Sequence, residues 1–124
     1  MDVKQVGERL VELCNQGKYD QAVDELYDVN IVTVEASGNE EMPAEMHGID
    51  AVRGKGQWWT DTFEVHESSA QGPYPHHDKF AVRHQFDITA RTGPTAGQRV
   101  KMDEVAVYTV KDGKIIREEF YYTT

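Results

Sequence analysis

The sequence predicts an α+β domain, and three observations carry that prediction. Apolar residues recur at helical spacing over the first 27 positions and again from Ile49. From Glu64 onward the period of the pattern drops to two. An Asp-Gly pair, Asp112-Gly113, separates the last two alternating runs. Helices first and strands last, in 124 residues, fit one domain over residues 1–124 and leave little room for a second core.

Val3, Val6, Leu10, Leu13 and Cys14 lie on one face of a first helix, which Gly17 ends by accepting a left-handed backbone. Tyr19, Ala22, Val23, Leu26 and Tyr27 repeat the pattern, so the chain opens as a helical hairpin. Residues 29–35, VNIVTVE, are β-branched and predict a strand; residues 36–47 are broken by Ser, Gly, Asn and Pro and predict a surface loop. Ile49, Val52, Trp59 and Phe63 return to helical spacing. Gly54 and Gly56 each cost that helix about 1 kcal/mol relative to alanine, so either packing of Trp59 and Phe63 or a tight backbone approach at Gly56 must retain it.

Residues 64–71, 79–91, 98–110 and 114–123 are four strand candidates, separated by GPYPHHD, TGPTAG and Asp112-Gly113. Asp-Gly between alternating runs is a strong hairpin signal, so the last two strands pair antiparallel. The middle two would each run about 40 Å at 3.3 Å per residue, and strands of that length bend. A bent sheet over helices encloses a hollow.

Composition narrows the functions open to such a domain. Twenty-two acidic against 13 basic residues leave a net charge of −9, which disfavours phosphate backbones and anionic membrane surfaces. No nucleic acid and no membrane are therefore expected as partners. Cys14 is the single cysteine, so no disulfide forms within the chain, and the charged first twenty residues lack a signal-peptide pattern. A cytoplasmic location is expected. No phosphate-binding loop, dinucleotide fingerprint, HExxH or GxSxG motif is present. Chemistry, if any, must come from scattered side chains.

Strand parity suggests which ones. With a two-residue turn at Asp112-Gly113, Val107 opposes Glu118, Val105 opposes Phe120 and Asp103 opposes Tyr122, placing all six on one face. On the preceding strand His84 is the one imidazole in the apolar row Phe80, Val82, Phe86 and Ile88. If Arg91 meets Gln98, His84 opposes Val105 and lies diagonally from Asp103, about 7–8 Å away. The expected catalytic set is His84 as proton shuttle, Asp103 orienting its ring, and Tyr122 or Glu118 as a second donor. Tyr27, Trp59, Phe63, Phe86, Val105 and Phe120 are the expected ligand contacts.

Each of these residues has a plainer explanation. His84 fits equally a buried histidine satisfied by Asp103, Tyr122 or water; Glu118 fits a structural carboxylate; and the aromatics fit a core. His76, His77 and Asp78, with His47 or His66, resemble a metal set only by composition, because adjacent residues diverge. They read as a solvated loop. No metal and no cofactor are expected.

The segments ELCNQGKYDQAVDELY with the IVTVE strand, HGIDAVRG at the start of the third helix, and the terminal KDGKI hairpin resemble the SnoaL-like branch of the NTF2-like superfamily. The resemblance spans nearly the whole chain and implies a cone-shaped α+β barrel, N-terminal helices packed on a strongly curved antiparallel or mixed sheet. It also implies a homodimer through the outer sheet face and a small apolar molecule in the cone. Related proteins include polyketide cyclases, ketosteroid isomerases, dehydratases and epoxide hydrolases. The isomerase base is replaced here by Ala36, and its oxyanion-hole pair falls near Leu10 and Val105. Resemblance to the cyclases gives Asp103 the acid–base role on a late strand. The expected function is cofactor-independent acid–base chemistry (isomerisation, dehydration or cyclisation) on a hydrophobic substrate; the alternative is a non-catalytic ligand carrier or oligomerisation module.

Overall fold

The computed structural model describes residues 1–123. Asp2 caps the first helix, α1 (Val3–Asn15): its carboxylate accepts from the Gln5 backbone N–H at 2.8 Å, and the Gln5 side chain accepts in return from the Asp2 N–H at 3.0 Å. Gly17, at φ +72°, closes it, and α2 (Tyr19–Leu26) follows. The chain passes directly into β1 (Tyr27–Val34). The segment expected as loop contains a three-residue strand, β2 (Glu45–His47), antiparallel to β1. Then come α3 (Ile49–Thr62), β3 (Phe63–His76), β4 (Lys79–Ala90), β5 (Arg99–Lys111) and β6 (Lys114–Tyr121). A methyl group at Gly54 or Gly56 would meet nothing within 4 Å, so close backbone approach does not explain either glycine.

The six strands form one sheet in the order β2-β1-β6-β5-β4-β3. Only β1 with β6 is parallel; all other neighbours are antiparallel, so the sheet is mixed. GPYPHHD is less of a break than the sequence suggests. Bulges absorb the Gly-Pro step, the ladder resumes at Tyr74↔Ala81, and the turn shrinks to His77-Asp78. Pro73 and Pro75 are tolerated because β3 is an edge strand, where a missing N–H breaks no ladder on its free side.

Two registers differ from expectation, and both move the functional residues. At the β4–β5 connection Gly97, at φ +83°, donates to the Ala90 carbonyl at 2.8 Å, and the ladder begins with Thr89↔Arg99. His84 therefore opposes Glu104, one residue from the expected Val105. In the last hairpin Lys111↔Lys114 and Val110↔Ile115 pair as the Asp-Gly turn requires, but the next pair is Thr109↔Arg117. Ile116 is bulged out, which reverses the parity of β6 relative to β5. The bulge buries Ile115, sends Arg117 outward, and brings Glu118 and Phe120 round beside the even row of β5.

The helices lie on the concave side, with Val6, Leu13, Leu26, Ile31, Val82 and Ile115 fully buried between layers. Asn15, last in α1, clamps both backbone groups of Ala70 on β3, donating at 3.0 Å and accepting at 2.8 Å. The first helix meets the sheet tightly at Gly7, where an added Cβ would lie 2.6 Å from Pro73 Cβ and 3.1 Å from Phe80. Neither a proline ring nor a fully packed phenyl can yield. Gly7→Ala is expected to destabilise the fold by about 1–3 kcal/mol, in spite of its better helix propensity, as a lowered urea midpoint at unchanged slope.

Candidate functional site

Curvature of the sheet and the cover of α2 and α3 leave a cavity of about 690 Å³. Its size suits a small organic ligand. Trp59 and Phe63 pack at 4.7 Å with their rings tilted by 45°, and Trp59 meets Phe86 at 5.3 Å, an aromatic corner formed where α3 turns into β3. Tyr27 and Phe120 line the opposite wall. Met42, Pro43 and Met46, from the β1–β2 segment and β2, border the opening.

Polar groups line the cavity from four strands and from the helices. His84 on β4 is 5% exposed, and its Nε2 lies 2.9 Å from the Tyr108 hydroxyl on β5. Burial pushes the imidazole down to about 4, so it is neutral at physiological pH. Tyr108 stacks on Phe80 at 4.9 Å; burial, then the charge of Glu118, holds its phenol well above the usual range and keeps it protonated. Glu104, directly opposite His84, borders the same cavity with no side-chain hydrogen-bond partner among the described residues. Burial first, and then Glu35, push its carboxyl up to about 7.

A second polar group continues along the wall. Glu118 accepts from the Tyr27 hydroxyl and, at 2.9 Å, from Thr33 Oγ1, and burial raises its pKa. Lys55 on α3 donates to the same Thr33 oxygen at 2.7 Å and pairs with Glu35 at 2.6 Å. Glu35 also accepts from the Tyr122 hydroxyl at 3.1 Å. Cys14 faces the cavity too, its thiol pushed up to about 12 by burial and therefore unreactive.

The structure separates His84 from Asp103. Asp103 lies on the outer face of the sheet, where Arg83 donates to it at 3.0 and 2.6 Å and holds its carboxyl below the usual range. Val105 is likewise outward and 41% exposed, so it is no wall of the cavity. Both misplacements follow from the one-residue shift at Gly97, which moves the odd row of β5 to the convex side. His84, Glu118, Tyr122, Tyr27, Trp59, Phe63, Phe86 and Phe120 do border the cavity. Asp103→Asn is accordingly expected to leave ligand binding and any turnover within about twofold of the unmodified protein, since an exposed ion pair on the far face touches nothing inside.

Glu104 and Tyr108 are hidden from sequence reasoning because hairpin parity carried through Ile116 turns the odd row of β5 inward, and the bulge reverses it. No residue type there announces a bulge. Lys55, Thr33 and Glu35 carried readable signals. Lys55 falls three residues after Val52 and four before Trp59, on the apolar stripe of α3, and Thr33 and Glu35 share the inward row of β1 with Ile31.

A mixed, curved sheet closed by three helices around an acid-bearing cavity is a cystatin-like cone of the NTF2-like class. The SnoaL-like domain model matches residues 1–122, and the chain belongs to the SnoaL-like family. A Mesorhizobium loti protein provisionally described as a SnoaL-like polyketide cyclase is 41% identical, with a TM-score of 0.89 over 98% of this chain and 100% of its own. A Xanthomonas campestris protein of unknown function with a cystatin-like fold is 16% identical, at a TM-score of 0.77 over 100% of this chain and 92% of that one. A Bacillus subtilis protein provisionally described as an isomerase, also 16% identical, gives 0.74 over 98% and 86%. The latter two share the fold alone. None of the curated proteins matches the chain. Among the described residues, no helix is long and apolar enough to cross a membrane.

Proposed function

We propose that the protein binds a small hydrophobic carbonyl compound in the cone and moves a proton on it without a cofactor, as in isomerisation or cyclisation. The observation that carries this reading is the side-by-side placement of Glu104 and the His84–Tyr108 pair, facing one apolar cavity. A carboxyl group with a pKa of about 7 is deprotonated often enough to accept a proton at neutral pH and is a stronger base than an ordinary carboxylate. With His84 in its Nε2–H tautomer, the imidazole donates to Tyr108 and leaves the phenol hydrogen for a carbonyl oxygen in the cavity.

The step balances simply. Glu104 takes a proton from the carbon beside the carbonyl, and the electron pair of that C–H bond moves onto the oxygen as an enolate. In an isomerisation Glu104 returns the proton to a different carbon; in a cyclisation the enolate carbon bonds to a second carbonyl of the same molecule, whose oxygen takes the proton. Tyr108 stabilises the developing oxyanion by donating its hydroxyl hydrogen. The Mesorhizobium loti protein's description as a cyclase agrees with this class of reaction.

A panel of enones and polyketone chains, assayed for isomerisation and ring closure beside Nile red binding, tests the reading. Turnover of at least one class is the expected result. Nile red binding with no turnover anywhere in the panel would instead establish a ligand carrier. A homodimer through the outer face is proposed alongside, because exposed Val105 and Tyr121 stand directly opposite each other there. Light scattering that returns the monomer mass at high concentration ends that proposal.

A further inference from the structure

The proposed chemistry places a negative charge on a substrate oxygen, and Glu104 and Tyr108 do not exhaust the groups facing the cavity. Among the described residues, four carboxyls line it: Asp20 on α2, Glu35 just after β1, Glu104 on β5 and Glu118 on β6. The other titratable groups there are the phenols of Tyr19, Tyr27, Tyr108 and Tyr122, with neutral His84 and the Cys14 thiol. Against them stand two cations. Arg53 borders the opening but is held by Asp24 at 2.7 Å. Lys55 is the one directed inward, with its side chain 12% exposed.

The position of Lys55 is over-determined. An ammonium has three hydrogens. Glu35, at 2.6 Å, and Thr33, at 2.7 Å, take two of them, and the face of Phe120 lies 5.0 Å from the nitrogen. Thr33 passes its own hydrogen to Glu118, so the lysine head is braced against β1, β6 and a ring while still bordering the cavity. That leaves a fixed positive charge with one hydrogen available to the ligand.

We propose that Lys55 is a further catalytic residue of this cavity, the ammonium that stabilises the enolate oxygen formed when Glu104 takes its proton. The inference rests on the acid–base reading above and names its missing electrophile. Its logic is conservation of charge. Before proton transfer the negative charge is on Glu104; afterwards Glu104 is neutral and the charge is on the substrate oxygen. The total in the cavity is unchanged, so Lys55 favours the transfer by standing nearer the substrate oxygen than the Glu104 carboxylate, where it stabilises the charge more after the proton has moved than before.

The ionisation of bound 4-nitrophenol, read from its absorbance at pH 6 with Glu104 largely protonated, tests this without any turnover. Lys55→Gln is expected to hold at least about tenfold less of the bound probe as phenolate than the unmodified protein, and Lys55→Arg to restore most of the difference. Glu35→Gln, which releases Lys55 from its carboxylate, is expected to move the fraction the other way and serves if Lys55→Gln does not fold. Equal ionised fractions in the unmodified protein and the folded variants overturn the inference, even if the carbonyl panel shows turnover. Absent Nile red binding refutes the pocket reading, and the inference with it.

Discussion

Replacing Glu104 with glutamine is expected to lower kcat/KM on the turned-over carbonyl substrate by a hundredfold or more, with KM little changed. The amide keeps the shape of the side chain and loses the ability to accept a proton, and a positioned general base contributes about 10²–10⁴ in rate. The pH profile carries the same signature. Only the carboxylate is active as base, so kcat/KM of the unmodified protein should rise tenfold per pH unit below about 7 and level off above it. The residual rate of the Glu104→Gln variant should lack that inflection. A profile that instead turns near the ordinary carboxylate range would remove Glu104 from the role.

Stability should respond with the opposite sign. Burial raises the folded-state pKa of Glu104 from 4.5 to about 7, so between those values the folded protein keeps a proton that the unfolded chain releases. The favourable contribution is complete below the unfolded value and is lost as pH climbs through about 7. Glu104→Gln should therefore match the unmodified protein near pH 4.5 and exceed it in urea midpoint at pH 8. Such a pair of results, less active and more stable, is the expected mark of a charge kept in a cavity for chemistry.

Replacing Glu118 with alanine is the second large effect, expected to cost about 3 kcal/mol at neutral pH. The carboxyl is 3% exposed and receives hydrogens from Tyr27 and Thr33. Truncation removes the acceptor of both hydroxyls, and each unpaired buried donor costs about 1–3 kcal/mol. It also frees the Thr33 hydroxyl that Glu118 orients and that braces Lys55. Glu118→Gln preserves an acceptor and the side-chain volume, and its loss should be less than half as large. Urea denaturation of the two variants at one pH separates these outcomes; equal losses would mean that volume, and not hydrogen bonding, is what Glu118 supplies.

Much of this was legible before any coordinates. The stripe Val3, Val6, Leu10, Leu13 and the Asp112-Gly113 turn appear in the structure as read, because each depends on contacts within one helix or one turn. His84 faces the cavity as the apolar row around it requires, since alternation along one strand is a local property. What it meets across the ladder is not. Register between β4 and β5 depends on where Gly97 turns back, and between β5 and β6 on a bulge at Ile116 that satisfies the packing of Ile115 on the helices. A single-residue slip reverses every side chain on a strand.

The sequence by itself therefore determined the α+β architecture and the aromatic, histidine-bearing face of the cone, which follow from periodicity and turn chemistry, and the family likeness, which its motifs carry. Tertiary structure alone decided which carboxylate accompanies that histidine. It exchanged Asp103 for Glu104, and it brought Lys55 of α3 to Glu35 and Thr33 across the hollow. The reason is physical: side-chain direction along a strand repeats every two residues, whereas pairing between strands and the seating of a helix are settled by the packing of the whole core.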